Sequence, residues 1–172
     1  LFADIRDQLR GIKVTVPNDW IVFHGGLLRV IDVSIPPADT TPFHTHDAAV
    51  LYVPIALSAT DAQVSGGDWG AIGPESASRL QVGTASSDFV YANHPLVHRV
   101  ANIGPDEFRL LEIVNAGSGV PPGTGPSLPG DLQMNSSWFR QSTLVLEAGK
   151  RTRWFSAEMP VVVVVPEFGT VT

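Results

Sequence analysis

The stretch Thr41-Pro42-Phe43-His44-Thr45-His46 places two histidines two residues apart in a segment whose pattern predicts a β-strand. At that spacing both imidazoles project from one face of the strand, a few ångströms apart. Two neutral imidazoles so placed can share one divalent cation. The stretch therefore predicts two ligands of a metal site that faces the inside of a β-fold.

A third nitrogen ligand is expected from His98. It lies in the strand predicted at residues 96–103, on the face that also carries Val100 and Asn102. Packed beside the His44 strand inside a barrel, His98 would complete a three-nitrogen site with positions open to water or substrate. The alternative is that the three histidines are ordinary surface or hydrogen-bonded side chains.

The remaining sequence predicts an all-β chain. Val, Ile and Thr are abundant, and 16 Gly and 14 Pro are spread along the 172 residues, a combination that favours short strands and tight turns. We predict a short helix at residues 2–10, a hairpin turn at 104–106, and strands at 20–24, 27–35, 42–55, 78–82, 89–92, 96–103, 108–115, 138–146 and 161–165. The regular spacing of strands and turns predicts an antiparallel barrel or sandwich.

Composition excludes several classes of function. The chain has no cysteine, which rules out disulfides, zinc fingers, iron–sulfur clusters and a thiol nucleophile, so any metal must be held by histidine, carboxylate or amide. The net charge of −6 argues against unspecific binding to nucleic acid or anionic membranes. No apolar run approaches the roughly 18 residues of a spanning helix. Because the sequence starts at Leu1, removal of a signal peptide is one expectation, and the compartment is left open between cytoplasm and export.

An internal repeat divides the chain. Arg29 aligns with Arg140, and the same offset aligns His44 and His46 with Phe155 and Ala157, so the second copy has lost both histidines. We therefore predict a helical or extended segment at residues 1–19, a barrel at 20–115, a Pro/Gly-rich linker at 116–137 and a partial, degenerate repeat at 138–172.

Two stretches carry a family resemblance. Residues 41–46 resemble the first motif of the cupin superfamily, and residues 88–91 followed by 98–104 resemble its second motif, in which a histidine precedes an asparagine by four residues. The resemblance spans about residues 29–115. It implies a small antiparallel cupin-type (jelly-roll) barrel with the metal inside, held by His44, His46 and His98. With the repeat, it implies a bicupin-like ancestry whose second unit is degenerate.

The chain departs from the family pattern at several positions. Val50 and Leu51 stand where the family has a glutamate, and Ser87, Asn93 and Pro95 replace the usual Gly, Pro and Gly of the second motif. Loss of the glutamate removes a carboxylate ligand, so a three-histidine site is more cationic and suits an anionic substrate or extra waters. Three-histidine sites occur in some thiol-oxidising members, which keeps oxygen chemistry open. Reduced metal affinity is the alternative.

Further candidates surround this site. Glu112 shares a strand face with apolar residues, so it could line the barrel as a base or substitute ligand, or lie in water at the rim. The remaining expectations are that Tyr52, Tyr91 and Arg99 could recognise an anionic substrate, that Arg99 and Asp47 face outward, and that His24 and His94 are not ligands.

The leading functional hypothesis is a metal-dependent cupin enzyme that acts on a small molecule. A dioxygenase-type reaction with Fe(II) comes first, and isomerase or decarboxylase chemistry with Mn, Ni or Zn is hard to separate from it. The competing hypotheses are a non-enzymatic ligand-binding or sensor cupin and a purely structural barrel without metal. The valine run at residues 161–165 lacks polar alternation, so we expect it to be buried on both faces, with homodimerisation as one way to bury it.

Overall fold

The computed structural model describes residues 19–70, 80–119, 128–153 and 160–165. These residues divide into two compact units, one within residues 19–116 and the other within residues 117–165. The helix predicted at residues 2–10 lies outside the described residues. None of the helical structure seen in the described residues has the length and hydrophobicity of a membrane-spanning helix.

The described part of the first unit is built from two antiparallel sheets. Its elements are β1 (Asp19–Gly25), β2 (Leu28–Ile35), β3 (His44–His46), β4 (Ala49–Ala56), β5 (Thr60–Val64), β6 (Ser86–Asp88), a 3₁₀ helix (Val90–Ala92), β7 (Leu96–Asn102) and β8 (Phe108–Asn115). Five strands form one sheet in the order β1-β2-β8-β4-β6, and three form the other in the order β3-β7-β5. This architecture confirms the predicted all-β, cupin-type jelly-roll barrel.

The chain passes from one sheet to the other at defined corners. Pro36 and Pro37 follow β2 directly, and because proline has no N–H to donate, the ladder of the larger sheet ends at Ile35. Ala38 then adopts a positive φ of 62°, and its N–H donates to the carbonyl of Asn102 on β7. The segment that leads to β3 is thereby moved onto the smaller sheet.

The core lies between the two sheets. Val33 and Ile35 of β2 pair with Leu110 and Phe108 of β8, and these four side chains form one buried cluster. Val100 of β7 packs against the same cluster, so the inner face of the smaller sheet covers that of the larger one. The period-two alternation predicted for residues 27–35 is therefore correct, since it places Val33 and Ile35 on the inner face.

Two local predictions in the barrel are wrong. Residues 90–92 form a 3₁₀ helix and not a strand, because the Asp88 carboxylate accepts the Val90 N–H at 3.0 Å and turns the chain. Residues 104–106 do not close a hairpin, since β7 and β8 belong to different sheets. In the described part of the strand predicted at 78–82, Gln81 makes only an isolated bridge to Thr84.

The described part of the second unit contains one hairpin. β9 (Asp131–Asn135) pairs with β10 (Arg140–Thr143), and the Ser136 hydroxyl accepts the N–H groups of Trp138 and Phe139 at the turn. β9 lies inside the range that we predicted as a linker, and β10 is shorter than the strand predicted at 138–146. The bicupin ancestry stays a prediction.

The valine run does not form the buried strand that we predicted. Residues 161–165 have no strand structure, and Val163 is 60% exposed within this chain. High β-propensity alone does not create a strand, because a strand needs a partner for its backbone hydrogen bonds. Homodimerisation through this run stays a prediction.

Asn102 ties the end of β7 to the larger sheet. Its side chain is 1% exposed, and its amide nitrogen donates to the carbonyls of Ile35 and Asp106 at 2.8 and 2.7 Å. Its side-chain oxygen accepts the Gly104 N–H at 3.1 Å. One amide therefore joins the last residue of β2, the last residue of β7 and the turn into β8.

We expect Asn102→Ala to lower the free energy of unfolding by about 2–4 kcal/mol, because it leaves buried backbone groups without partners. Urea denaturation followed by circular dichroism measures the change. The matched control is Asn93→Ala, which alters an exposed asparagine and should change the free energy by less than about 0.5 kcal/mol. Equal stabilities of the two variants would contradict this role for Asn102.

Candidate metal centre

The pairing of β3 with β7 brings the three histidines together. His44 lies directly opposite His98 in the antiparallel register, and His46 follows two residues later on the same face of β3. The ring centroids are 4.6 Å apart for His44 and His98, 4.9 Å for His46 and His98, and 5.1 Å for His44 and His46. The structure thus gathers the three residues that the sequence predicted as ligands.

Hydrogen bonding leaves imidazole nitrogens available at this cluster. The Nδ1–H of His44 donates to the carbonyl oxygen of Pro42 at 3.0 Å, which leaves Nε2 of His44 with a free lone pair. Both ring nitrogens of His98 are buried and have no hydrogen-bond partner. A buried polar atom without a partner is unfavourable, and a bound cation is one physical reason for keeping it.

Two of the three histidines are held in the neutral form. Burial, followed by the neighbouring His98 and His44 imidazoles, lowers the pKa of His46 from 6.5 to about 3. Burial, followed by the charge of His44, lowers the pKa of His98 to about 4. A histidine binds a metal through its neutral form, so both side chains are in the state that metal binding requires at neutral pH.

The cluster fits a divalent transition-metal ion. One donor atom from each histidine lies within 4.8 Å of the others, and this is the one group of three or more potential His, Cys, Asp or Glu ligands found among the described residues. Imidazole nitrogen suits Zn, Cu, Fe and Ni, whereas Mg and Ca prefer oxygen. The donor set therefore selects for a transition metal without specifying which one.

The positions that hold a glutamate in the family contribute no ligand here. Val50 and Leu51 are 1% and 6% exposed, and Val50 packs with Ala48 and Val114 in the core. These two positions therefore hold buried apolar side chains and supply no carboxylate. If a metal were held by these three histidines, no protein ligand would carry a negative charge to balance that of the metal.

Two tyrosines border the cluster. The Tyr91 ring lies 5.2 Å from that of His46, and the Tyr52 ring lies 6.3 Å from it. Tyr52 sits opposite Glu112 in the β4–β8 pairing. Burial raises the pKa of both phenols, to about 12 for Tyr91, and the charges of Asp88 and Glu112 act in the same direction. Both hydroxyls therefore stay protonated at neutral pH.

The predicted base, Glu112, is half-buried beside these tyrosines. It does not belong to the cluster of three potential metal ligands. Sequence reasoning missed Asp88 as a site residue, although Asp88 forms a side-chain hydrogen bond with Tyr91. The available signal was the spacing Asp88-Phe89-Val90-Tyr91, which is typical of a short turn opened by an aspartate.

The other expected positions lie away from the cluster. Asp47 is exposed and 3.9 Å from Arg29, and His94 is exposed as well. Arg99 alternates with His98 and lies between the rings of Phe43 and Trp69, 4.9 Å from each ring centre. The predicted outward direction of Asp47 is therefore correct, and Arg99 is engaged in a cation–π contact away from the histidines. The side chain of His24 lies outside the described residues.

No family model matches the chain, and no curated protein matches it either. Among solved structures, it is similar to a cupin domain from Bordetella pertussis Tohama I, with 19% identity, a TM-score of 0.45, and coverage of 58% of this chain and 92% of that one. It is also similar to a protein with a double-stranded β-helix domain from Klebsiella pneumoniae. The identity is 16%, the TM-score is 0.39, and the match covers 66% of this chain and 88% of that one. KdgF from Halomonas sp. is 16% identical, with a TM-score of 0.35 and coverage of 58% of this chain and 79% of that one.

The fold and the positions of the three histidines agree with the resemblance found in the sequence. The chain has a cupin-type barrel, and its three clustered histidines lie on the two neighbouring strands in which the superfamily motifs were found. The resemblance to the cupin superfamily is thereby confirmed at the level of the fold. The two positions that correspond to the family's glutamate, Val50 and Leu51, hold buried apolar residues.

The lowered pKa values predict acid sensitivity of the metal-free protein. An unfolded histidine titrates near 6.5, so below that pH the unfolded chain binds protons that folded His46 and His98 do not. The stabilisation associated with the neutral pair is complete above pH 6.5 and is lost as the pH falls towards about 4 and then about 3.

Urea denaturation of chelator-treated protein between pH 4 and pH 7 tests this expectation. The free energy of unfolding should fall more steeply with acidification in the wild type than in the double variant His46→Gln/His98→Gln. The exposed-histidine variant His94→Gln should keep the steep dependence. Equal slopes for the wild type and the double variant would show that the pair does not control acid stability.

Proposed function

We propose that this protein binds one divalent transition-metal ion through His44, His46 and His98 and that it is an enzyme acting on a small molecule at that ion. The observation that carries the proposal is the three-histidine cluster, in which His46 is buried and both buried nitrogens of His98 lack a hydrogen-bond partner. Neutral imidazoles that share one centre within a barrel are suited to holding a cation.

The preferred reaction is an oxidation of the dioxygenase type with Fe(II). Three protein ligands leave coordination positions open, and a metal bound there would supply a site where oxygen and substrate meet. An anionic small molecule is the favoured substrate class, because the histidines bring no negative charge to balance the metal and Val50 and Leu51 stand where the family has a glutamate.

Three residues near the histidines have proposed roles in the reaction. Glu112, half-buried beside the two phenols, is our candidate for the group that removes a proton from the substrate. Tyr52 and Tyr91 border the histidines and limit the space in which a ligand can lie. Isomerase or decarboxylase chemistry with Mn, Ni or Zn uses the same residues and differs in the metal and the substrate.

The second candidate function is a ligand-binding or sensor cupin without catalysis. The lost glutamate favours this function, because Val50 and Leu51 stand where the family has its anionic ligand and both are buried. Such a protein would retain the metal or the pocket but would not turn over a substrate. Metal affinity and turnover are therefore measured separately.

Metal binding is tested by titrating chelator-treated protein with Co²⁺ in a calorimeter. We expect one ion per chain, and we expect His44→Ala and His98→Ala each to weaken binding at least about 100-fold, since even changes behind the ligands weaken metal binding by 10–100-fold. The variant His94→Ala serves as the control, because it removes an exposed histidine outside the cluster. Failure of the wild type to bind Co²⁺, Zn²⁺ or Fe²⁺ would overturn the proposal.

Catalysis is tested by oxygen uptake after anaerobic loading with Fe(II), against a panel of thiols, phenols and small carboxylic acids. We expect uptake with one of these classes, and a fall in kcat of about 10²–10⁴-fold in Glu112→Gln with the metal still bound, because a positioned base contributes on that scale. Metal binding with no uptake and no chemical change of any compound would contradict the enzyme and support the sensor.

A further inference from the structure

We infer that Tyr91 is a positioning residue of the three-histidine centre, which fixes the orientation of the His46 ring by packing against it. The inference rests on the proposed function, because it concerns how the same centre holds its metal. Tyr91 does not lie on β3 or β7. It belongs to the 3₁₀ helix Val90–Ala92, which follows β6. It acts through His46 and is not itself one of the three ligands.

A metal-binding histidine normally needs a second contact that fixes its ring. In most sites the nitrogen that does not bind the metal donates to a carboxylate or a carbonyl, and loss of that contact weakens metal binding. His44 has such a contact, since its Nδ1–H donates to the carbonyl of Pro42. Among the described residues, His46 makes no corresponding hydrogen bond.

At His46, contact with the Tyr91 ring replaces the missing hydrogen bond. The planes of His46 and Tyr91 are inclined by 34°, with the centroids 5.2 Å apart, which is the flattest contact in the cluster. The contacts of His46 with His44, His98 and Tyr52 are all edge-on, at 68°, 63° and 66°. Because more of the Tyr91 ring faces the imidazole in this tilted contact than in an edge contact, we expect it to restrict rotation of the His46 ring the most.

Tyr91 is itself held in place on two sides. Its hydroxyl donates to the Asp88 carboxylate and accepts a hydrogen bond from Tyr52. The Asp88 Oδ1 also accepts the Val90 N–H at 3.0 Å, and Asp88 pairs with Val50 across β6 and β4. The ring that packs on His46 is therefore anchored to the larger sheet, while His46 belongs to the smaller one.

This arrangement links the two sheets at the metal centre. Without the anchored phenol, the His46 ring could rotate, and the geometry of the three nitrogens would be less well defined. The effect should appear in the affinity for metal and in the ligand field of a bound ion. A role limited to barrel stability would change neither of them.

The test uses Co²⁺, whose visible absorption reports the ligand geometry around the ion. Tyr91→Leu removes the ring, and we expect it to weaken Co²⁺ binding by about 10–100-fold and to change the absorption spectrum of the bound ion. Tyr91→Phe keeps the ring and removes both hydrogen bonds, so a smaller loss and a smaller spectral change are expected. Val90→Ala is the matched control on the same helix, because Val90 is 54% exposed and should leave both readouts unchanged.

The outcomes separate this inference from the proposed function. If wild-type protein does not bind Co²⁺, the metal centre itself is disproved. If wild type binds Co²⁺ and both Tyr91 variants match its affinity and spectrum, the positioning role is overturned while the metal centre stands. If Tyr91→Leu does not fold, Tyr91→Met, which fills similar volume without a ring, decides the question, and an unchanged spectrum and affinity in that variant overturn the inference.

Discussion

The pairing of β3 with β7 is the contact on which the whole centre depends. β3 is three residues long, and a slip of one residue against β7 would turn its histidines to the outer face. The register is fixed outside β3 itself. The Thr41 N–H donates to the Val100 carbonyl, and the Thr41 hydroxyl accepts the Val100 N–H at 2.9 Å, so a buried threonine locks the strand that enters β3.

The same register sets an electrostatic constraint. Three imidazoles with centroids about 5 Å apart cannot all carry a proton in a buried environment, because like charges repel and burial disfavours each charge. The fold therefore holds His46 and His98 as neutral bases at a pH where free histidine is partly protonated. A barrel that keeps uncharged donors pointed at one another is unstable to acid and receptive to a cation.

The sequence predicted the features that depend on residue periodicity. Alternation by two placed Val33, Ile35 and the histidines on inner faces, because the side chains of a strand alternate whatever its neighbours are. It did not predict the pairing partners. The turn at residues 104–106 looked like a hairpin, yet the strands on either side enter different sheets, and a turn motif does not encode that choice. Residues 89–92 were predicted as a strand from their β-propensity. The hydrogen bond from the Val90 N–H to the Asp88 carboxylate instead turns the chain there into a 3₁₀ helix.

Two buried apolar residues, Val50 and Leu51, stand where the family has a glutamate. Neither Val50 nor Leu51 can supply the carboxylate that the family has at these positions, and Val50 is buried among apolar side chains. Two carboxylates lie near the tyrosines that border His46, since Asp88 and Glu112 both raise the pKa of Tyr52 and Tyr91. The carboxylates of this region therefore lie beside the phenols and not among the three residues that could hold a metal.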